Sequence, residues 1–212
     1  MANSETDGEV PKQVDHVARR AEIAEALTRL TATRGLEGVS LRHVAAEAGM
    51  SMGLVQHYFK TKDEMLLFAV ERRSQVYEAR IKAQLAAGEL PSTPKAVIRA
   101  IMTEILPLDE RRRGDWLMGV AFFIRAISDP AFAAAFTDGV PQLFDLLALL
   151  IRQGQDAGDV DKSADPMHES AILWALADSQ GTNIVMKHRT PDEALSTVDY
   201  YLDRLFGSAP AG

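Results

Sequence analysis

The sequence contains no cysteine, which excludes disulfides, zinc–thiolate sites and cysteine nucleophiles and fits a reducing compartment. Long apolar runs are also missing. The two longest, Trp116 to Ile124 and Leu146 to Ile151, fall far short of the roughly 20 residues that a spanning helix needs. The first eleven residues are polar and acidic, with Glu5, Asp7 and Glu9 and no apolar centre. No secretory signal is expected from them, and the expected setting is cytoplasmic with no membrane partner. The five histidines, His16, His43, His57, His168 and His188, form no H-x-x-x-H or H-E-x-x-H spacing. There is no Gly-rich phosphate loop and no G-x-S-x-G elbow. Metal ligands, cofactors and catalytic residues are therefore not expected, and the chain does not read as an enzyme.

What is present is ordinary globular material: 212 residues, 47% hydrophobic and 25% charged, enough for a sizeable core in one or two domains. The formal charge of −7 argues at first against nucleic acid, which rewards a positive surface. Its distribution changes that reading. From Lys12 to Lys62 there are eight Lys and Arg against five Asp and Glu, so the acidic excess belongs to the first eleven residues and to the segment after residue 62.

No stretch alternates with a period of two, while apolar residues recur at helical spacing between Gly and Pro, so the expected fold is all-α. Helix starts are marked by a capping residue directly before proline at Thr93-Pro94, Asp129-Pro130, Asp165-Pro166 and Thr190-Pro191. Proline loses nothing at the first helical position, because its missing N–H would have had no partner there. Thr61 with Glu64 and Thr190 with Glu193 have the spacing of capping boxes. With Ser40 and Ser51 as further caps, the pattern predicts nine helices, at 16–34, 41–48, 52–59, 62–87, 94–106, 109–128, 130–157, 166–188 and 191–206. The expected organisation is a disordered tail over 1–15, a helix-turn-helix domain over 16–62, a bundle over 63–206 and a second tail over 207–212.

The segment Ser40 to Phe59 holds two short helices around Gly49. Ala45 must be small where the helices cross, Gly49 takes a turn conformation that other residues resist, and Val55 faces back toward Ala45. Helices this short are not stable alone and are held in place for presentation. Phe59 is expected in the core, with the first helix backing the pair through Val17, Ala21, Ala24 and Leu27.

Ser40-Leu41-Arg42-His43-Val44-Ala45, Ala48-Gly49-Met50-Ser51-Met52-Gly53 and Tyr58-Phe59-Lys60-Thr61-Lys62-Asp63-Glu64-Met65-Leu66 together resemble the DNA-binding region of the tetracycline-repressor (TetR) family of regulators. The chain departs from the usual pattern at Ser40, Met50, Gln56, Tyr58 and Thr61, and only Gln56 changes what the second short helix can read. The resemblance implies a ligand-responsive repressor that dimerises on a palindromic double-stranded operator. Met52, Gln56 and His57 would face base edges, and Arg42, Tyr58 and Lys62 would contact phosphate. Two heads about 34–36 Å apart would read adjacent turns of DNA.

After residue 62, the segment 109–128 is apolar nearly all round and is expected at the centre of the bundle. Arg111 to Arg113, offset by Asp109, Glu110 and Asp115, reads as a solvated helix start. The resemblance implies a cavity for a small, largely apolar effector, with Met102, Trp116, Phe122, Phe144, Trp174 and Asn183 as candidate lining. The stretch from Arg111 to Pro130 is also loosely similar to a choline-responsive, BetI-like branch of that family, without assigning an effector. Ala171, Ala175, Ser179 and Thr182 form a stripe of small residues on the eighth helix, and Val198, Tyr201, Leu202 and Leu205 an apolar face on the ninth. Both are expected at a homodimer interface. The alternative class is a helical small-molecule carrier or enzyme in which the helix-turn-helix is vestigial.

Overall fold

Thr93, Asp129, Asp165 and Thr190 each accept from backbone N–H groups of the turn that follows, and proline occupies the first turn of all four helices. The computed structural model describes residues 12–207, the side chains of 12–15 and 136–140 excepted. Among the described residues the chain is helical throughout: α1 (Lys12–Arg34), α2 (Leu41–Glu47), α3 (Met52–Tyr58), α4 (Lys62–Ala86), α5 (Pro94–Ile105), α6 (Glu110–Ser128), α7 (Pro130–Ala157), α8 (Pro166–Val185) and α9 (Pro191–Phe206). The first helix begins at Lys12, inside the expected tail. The remainder of both tails, 1–11 and 208–212, lies outside the described residues. Thr190 and Glu193 close a reciprocal capping box. At α4 the box is displaced by one residue: Thr61 Oγ1 accepts from Glu64 N, but the Glu64 carboxylate takes the N–H of Lys60 at 2.6 Å.

Two apolar cores form, and they do not follow the expected division at residue 62. One gathers Ile23, Leu27, Val44, Val55 and Phe59 of the first helices with Met65 and Leu66 of α4, and continues into Met118, Phe122 and Phe132 of α6 and α7. The other joins α5, the second half of α7, α8 and α9 through residues such as Ile98, Met102, Ile151, Leu173 and Leu202. The helix α6 is not buried all round: Met118 and Phe122 are inside, while Phe123, Ile124 and Ile127 are exposed.

The contact between α1 and α6 is close because Gly114 stands at the crossing. A Cβ at that position would lie 2.8 Å from the Thr28 carbonyl oxygen and 3.2 Å from Ala32 Cβ, and backbone cannot yield as a flexible side chain could. At the other end of α6 the Arg125 guanidinium pairs with Asp63 at the start of α4.

Arg111 to Arg113 is not simply a solvated start. The Glu104 carboxylate of α5 is buried and accepts from Arg112 at 2.8 Å and from Arg80 of α4 at 3.0 Å, with Arg111 at 3.4 Å. Arg112 pairs with Asp109 as well. A carboxylate removed from water needs such partners, and here they come from the two helices that flank it. Burial pushes the Glu104 carboxyl up, but the hydrogen bonds from Arg112 and Arg80 outweigh burial and hold it below the ordinary value of 4.5. Because the folded-state value is depressed, this stabilisation is present above 4.5 and is lost as pH falls through the folded value.

Two outcomes are expected. Gly114→Ala gains roughly 1 kcal/mol of helix propensity but forces α1 and α6 apart, for a net loss of about 1–2 kcal/mol in urea unfolding. Glu104→Gln leaves three arginines facing a neutral amide and costs on the order of 3 kcal/mol at pH 7. Its deficit against the unsubstituted chain shrinks as pH is lowered below 4.5.

Candidate nucleic-acid interface

The presentation of α3 is built from three local devices. Ser40 Oγ accepts from His43 N while His43 Nδ1 accepts from Ser40 N, both at 3.3 Å, a capping box closed by histidine. Gly49 then turns the chain at φ +65°. Met50 N bonds back to Ala45 O at 2.9 Å and Gly49 N to Ala46 O at 3.2 Å. That pairing satisfies the last carbonyls of α2 and ends it sharply. Ser51 Oγ accepts from Leu54 N and starts α3.

Val55 and Phe59, both fully buried, plug α3 into the core beside Val44 and Ala45. Their register leaves Met52, Gln56 and His57 exposed on the outer side of α3. Arg42 is exposed near the start of α2. Tyr58 is half-buried, its ring packed between those of His16 at 4.8 Å and His57 at 5.2 Å. Its hydroxyl makes no hydrogen bond among the described residues. Lys62 is half-buried, and its ammonium donates to the Leu36 carbonyl at 3.1 Å, tying the start of α4 to the loop after α1. The ammonium carries three donors, so this bond does not exhaust it.

Sequence reading passed over two residues here. Lys60 Nζ donates to the Gln56 carbonyl at 2.8 Å and places a cation at the C-terminal end of α3, where it complements the helix dipole. Gly53, in the first turn of α3, has nothing within 4 Å of where a Cβ would stand. Among the described residues nothing packs against it that would require the lack of a side chain.

The six residues expected to line an effector cavity do not converge. Met102 is packed in the core of α5, α7, α8 and α9, and Phe122 in the other core against Phe132 at 5.4 Å. Phe144 and Trp174 touch edge to face at 6.3 Å. Trp116 lies with its indole nitrogen against Gly181 of α8. Asn183 is half-buried, and its backbone carbonyl caps the end of α8. None of them lines the cavity of about 680 Å³ that opens instead between α1, α4 and α6. Bulky aromatics drew attention to core positions, whereas this cavity is walled largely by arginines and small residues.

The expected dimer residues divide as well. Ala171, Ala175, Ser179 and Thr182 are exposed along α8. Val198, Leu202 and Leu205 turn inward and close the chain's own core, so that face of α9 is not available to a partner. Tyr201 is half-buried, and its hydroxyl bonds the Glu169 carboxylate.

Comparison with known proteins matches both parts of the chain. Residues 23–69 fit the model of bacterial regulatory proteins of the tetR family. Residues 94–207 fit the C-terminal model of the BetI-type transcriptional repressor. The HTH-type transcriptional regulator PksA of Bacillus subtilis (strain 168) is 36% identical over 169 residues, covering 80% of each chain. The regulator BetI of Brucella anthropi is 27% identical over 117 residues, covering 55% of this chain and 59% of that one. Among solved structures, a transcriptional regulator from Saccharomonospora viridis in complex with choline superposes with a TM-score of 0.77 at 23% identity, covering 88% of this chain and 96% of the other. One from Rhodococcus sp. Rha1 superposes with a TM-score of 0.71 at 28% identity, covering 91% and 99%.

Proposed function

Since the chain belongs to the TetR family and is a transcriptional regulator, not an enzyme, we propose that it is a homodimeric repressor which grips a palindromic operator and is released by a small-molecule effector. One observation carries this reading: the register set by buried Val55 and Phe59 leaves Met52, Gln56 and His57 outermost on α3. A helix of this size fits the major groove. Gln56 offers a bidentate pair to adenine N6 and N7, His57 donates to a guanine acceptor, and Met52 meets a thymine methyl. Arg42, Tyr58 and Lys62 bond phosphates and fix register without reading sequence. The excess of Lys and Arg between residues 12 and 62 supplies the field, and the acidic remainder keeps the bundle off the duplex.

A single head reads too few base pairs for useful specificity, so two must act together. The exposed small-residue stripe of α8, joined by exposed Leu146 and Leu149 on α7, supports a two-fold contact there. The relative solved with choline supports a small molecule as the release signal. In this reading the effector favours a bundle state whose heads are spaced wrongly for adjacent major grooves.

Gel shifts on the DNA flanking the chain's own coding sequence test the reading. Salt-sensitive, sequence-selective binding is expected, and its absence at every effector concentration refutes the proposal. Gln56→Ala is expected to relax preference at one base position and cost roughly 1–3 kcal/mol, while Arg42→Ala weakens all sequences alike and lowers the salt slope by about one. If the two variants behave alike, α3 is oriented otherwise. Gly53→Ala is expected to raise unfolding stability by up to about 1 kcal/mol and, with α3 seated in the groove as proposed, to weaken operator binding, because the methyl group adds bulk where the chain leaves open space.

A further inference from the structure

The cavity between α1, α4 and α6 lies beside the Gly114 crossing, and Thr28 and Ala32 belong to both. At about 680 Å³ it is of a size that holds a drug-like molecule. Leu30, Ala69 and Val76 give it an apolar wall. Its charged groups differ in exposure and in pairing. Glu25 and Glu110 are exposed at the rim, and so is Arg29, which pairs with Glu47 at 2.7 Å. Asp115 is paired with Arg111 at 3.4 Å and Arg80 with Glu104 at 3.0 Å.

Two guanidiniums on this wall have no carboxylate at ion-pair distance among the described residues. Arg73 donates to the backbone carbonyl of Asp115 at 3.1 Å and lies over the Tyr77 ring at 6.0 Å, and among the described residues the Asp115 carboxylate acts on it only at a distance, without a direct ion pair. Arg72 is half-buried and makes neither a hydrogen bond nor an ion pair among the described residues. Tyr77, one turn on from Arg73, lines the same wall with a hydroxyl that makes no hydrogen bond there, and burial pushes its phenol far above the ordinary value, so it remains a donor. Half-desolvated cations beside a free donor and an apolar wall are complementary to one ligand chemistry.

We propose that this cavity binds an amphipathic organic anion, its acid group held by Arg72, Arg73 and the Tyr77 hydroxyl and its apolar body against Leu30, Ala69 and Val76. The occupant enters between α1, which backs the reading head, and the two bundle helices that α1 packs on. It therefore distinguishes states in which α1 is seated differently on α4 and α6. That consequence rests on the regulator reading above, while the binding site itself does not.

The probe pair is 8-anilinonaphthalene-1-sulfonate, which fluoresces on entering an apolar site, and its uncharged relative N-phenyl-1-naphthylamine, each titrated into the full chain. The sulfonate is expected to bind once per chain and at least ten-fold more tightly than the neutral probe. Arg72→Gln with Arg73→Gln is expected to weaken the sulfonate at least ten-fold, leaving the neutral probe and the circular dichroism spectrum unchanged. Equal affinity for the two probes, or an undiminished sulfonate affinity in the double variant, overturns the proposal. Should the double variant fail to fold, Tyr77→Phe is expected to weaken the sulfonate several-fold, and no change overturns it equally. Displacement by decanoate or by decyl phosphate tells a carboxylate ligand from a phosphate one, and displacement by neither overturns the site. Saturating sulfonate is expected to lower operator affinity at least ten-fold. Retained operator affinity sinks the regulatory consequence alone, whereas failure of the free chain to bind operator sinks the regulator reading and leaves the probe titrations standing.

Discussion

Where α1 crosses α6, the absence of a side chain at Gly114 lets the backbone of Thr28 come within van der Waals reach of the opposing helix. That approach brings Leu27 and Ile23 into one core with Met118 and Phe122. The reading head is consequently not a bead on a string. Its stability is drawn partly from the bundle, as is expected for helices of seven residues such as α2 and α3, which could not persist on local propensity. A displacement of α6 would reach α3 by way of α1 and the side chains packed between them.

The helix α4 is held along its whole length by polar contacts that differ in kind. Lys62 bonds the loop after α1, Asp63 pairs with Arg125, Arg73 bonds the Asp115 carbonyl, and Arg80 reaches the buried Glu104. Three of these four tie α4 to α5 or α6. Pairs exposed to water contribute little each, so the buried Glu104 is the strongest of these ties between α4, α5 and α6, while the Asp63–Arg125 pair is half-exposed with Arg125 resting on Phe132. An equilibrium between two seatings of α4 would then be biased by whatever occupies the space beside Arg72 and Arg73, and by DNA at the other end, with equal and reciprocal coupling.

Much of this was legible in the residues. Proline directly after Thr or Asp marked four helix starts, because only one backbone arrangement uses both residues well. Ala45, Gly49 and Val55 placed the turn and the buried face of α3, and exposure of Met52, Gln56 and His57 follows from that register. What periodicity could not convey was partner choice. Val198, Leu202 and Leu205 form an apolar face whether they meet α5 and α8 or another subunit, and the structure has them meeting their own chain. Phe123, Ile124 and Ile127 look as buried as Phe122 in sequence, yet only Phe122 points inward. Arg112 reads as solvated from its acidic neighbours in sequence, because Glu104 lies across a turn on another helix. The cavity escaped notice for the same reason: Arg72, Arg73 and Tyr77 acquire meaning only when α1 and α6 are brought alongside.

The shared core also bears on how such molecules can be recombined. A graft that cuts after residue 62 would carry Ile23, Leu27 and Phe59 to a new bundle but leave behind Gly114, Met118 and Phe122, against which the first helices pack. The transplantable reading unit is discontinuous: α1 to the first turns of α4, together with one stripe of α6. Substitutions on the outer side of α3, at Met52 and Gln56, would leave that shared core untouched, whereas a swap of the head would not.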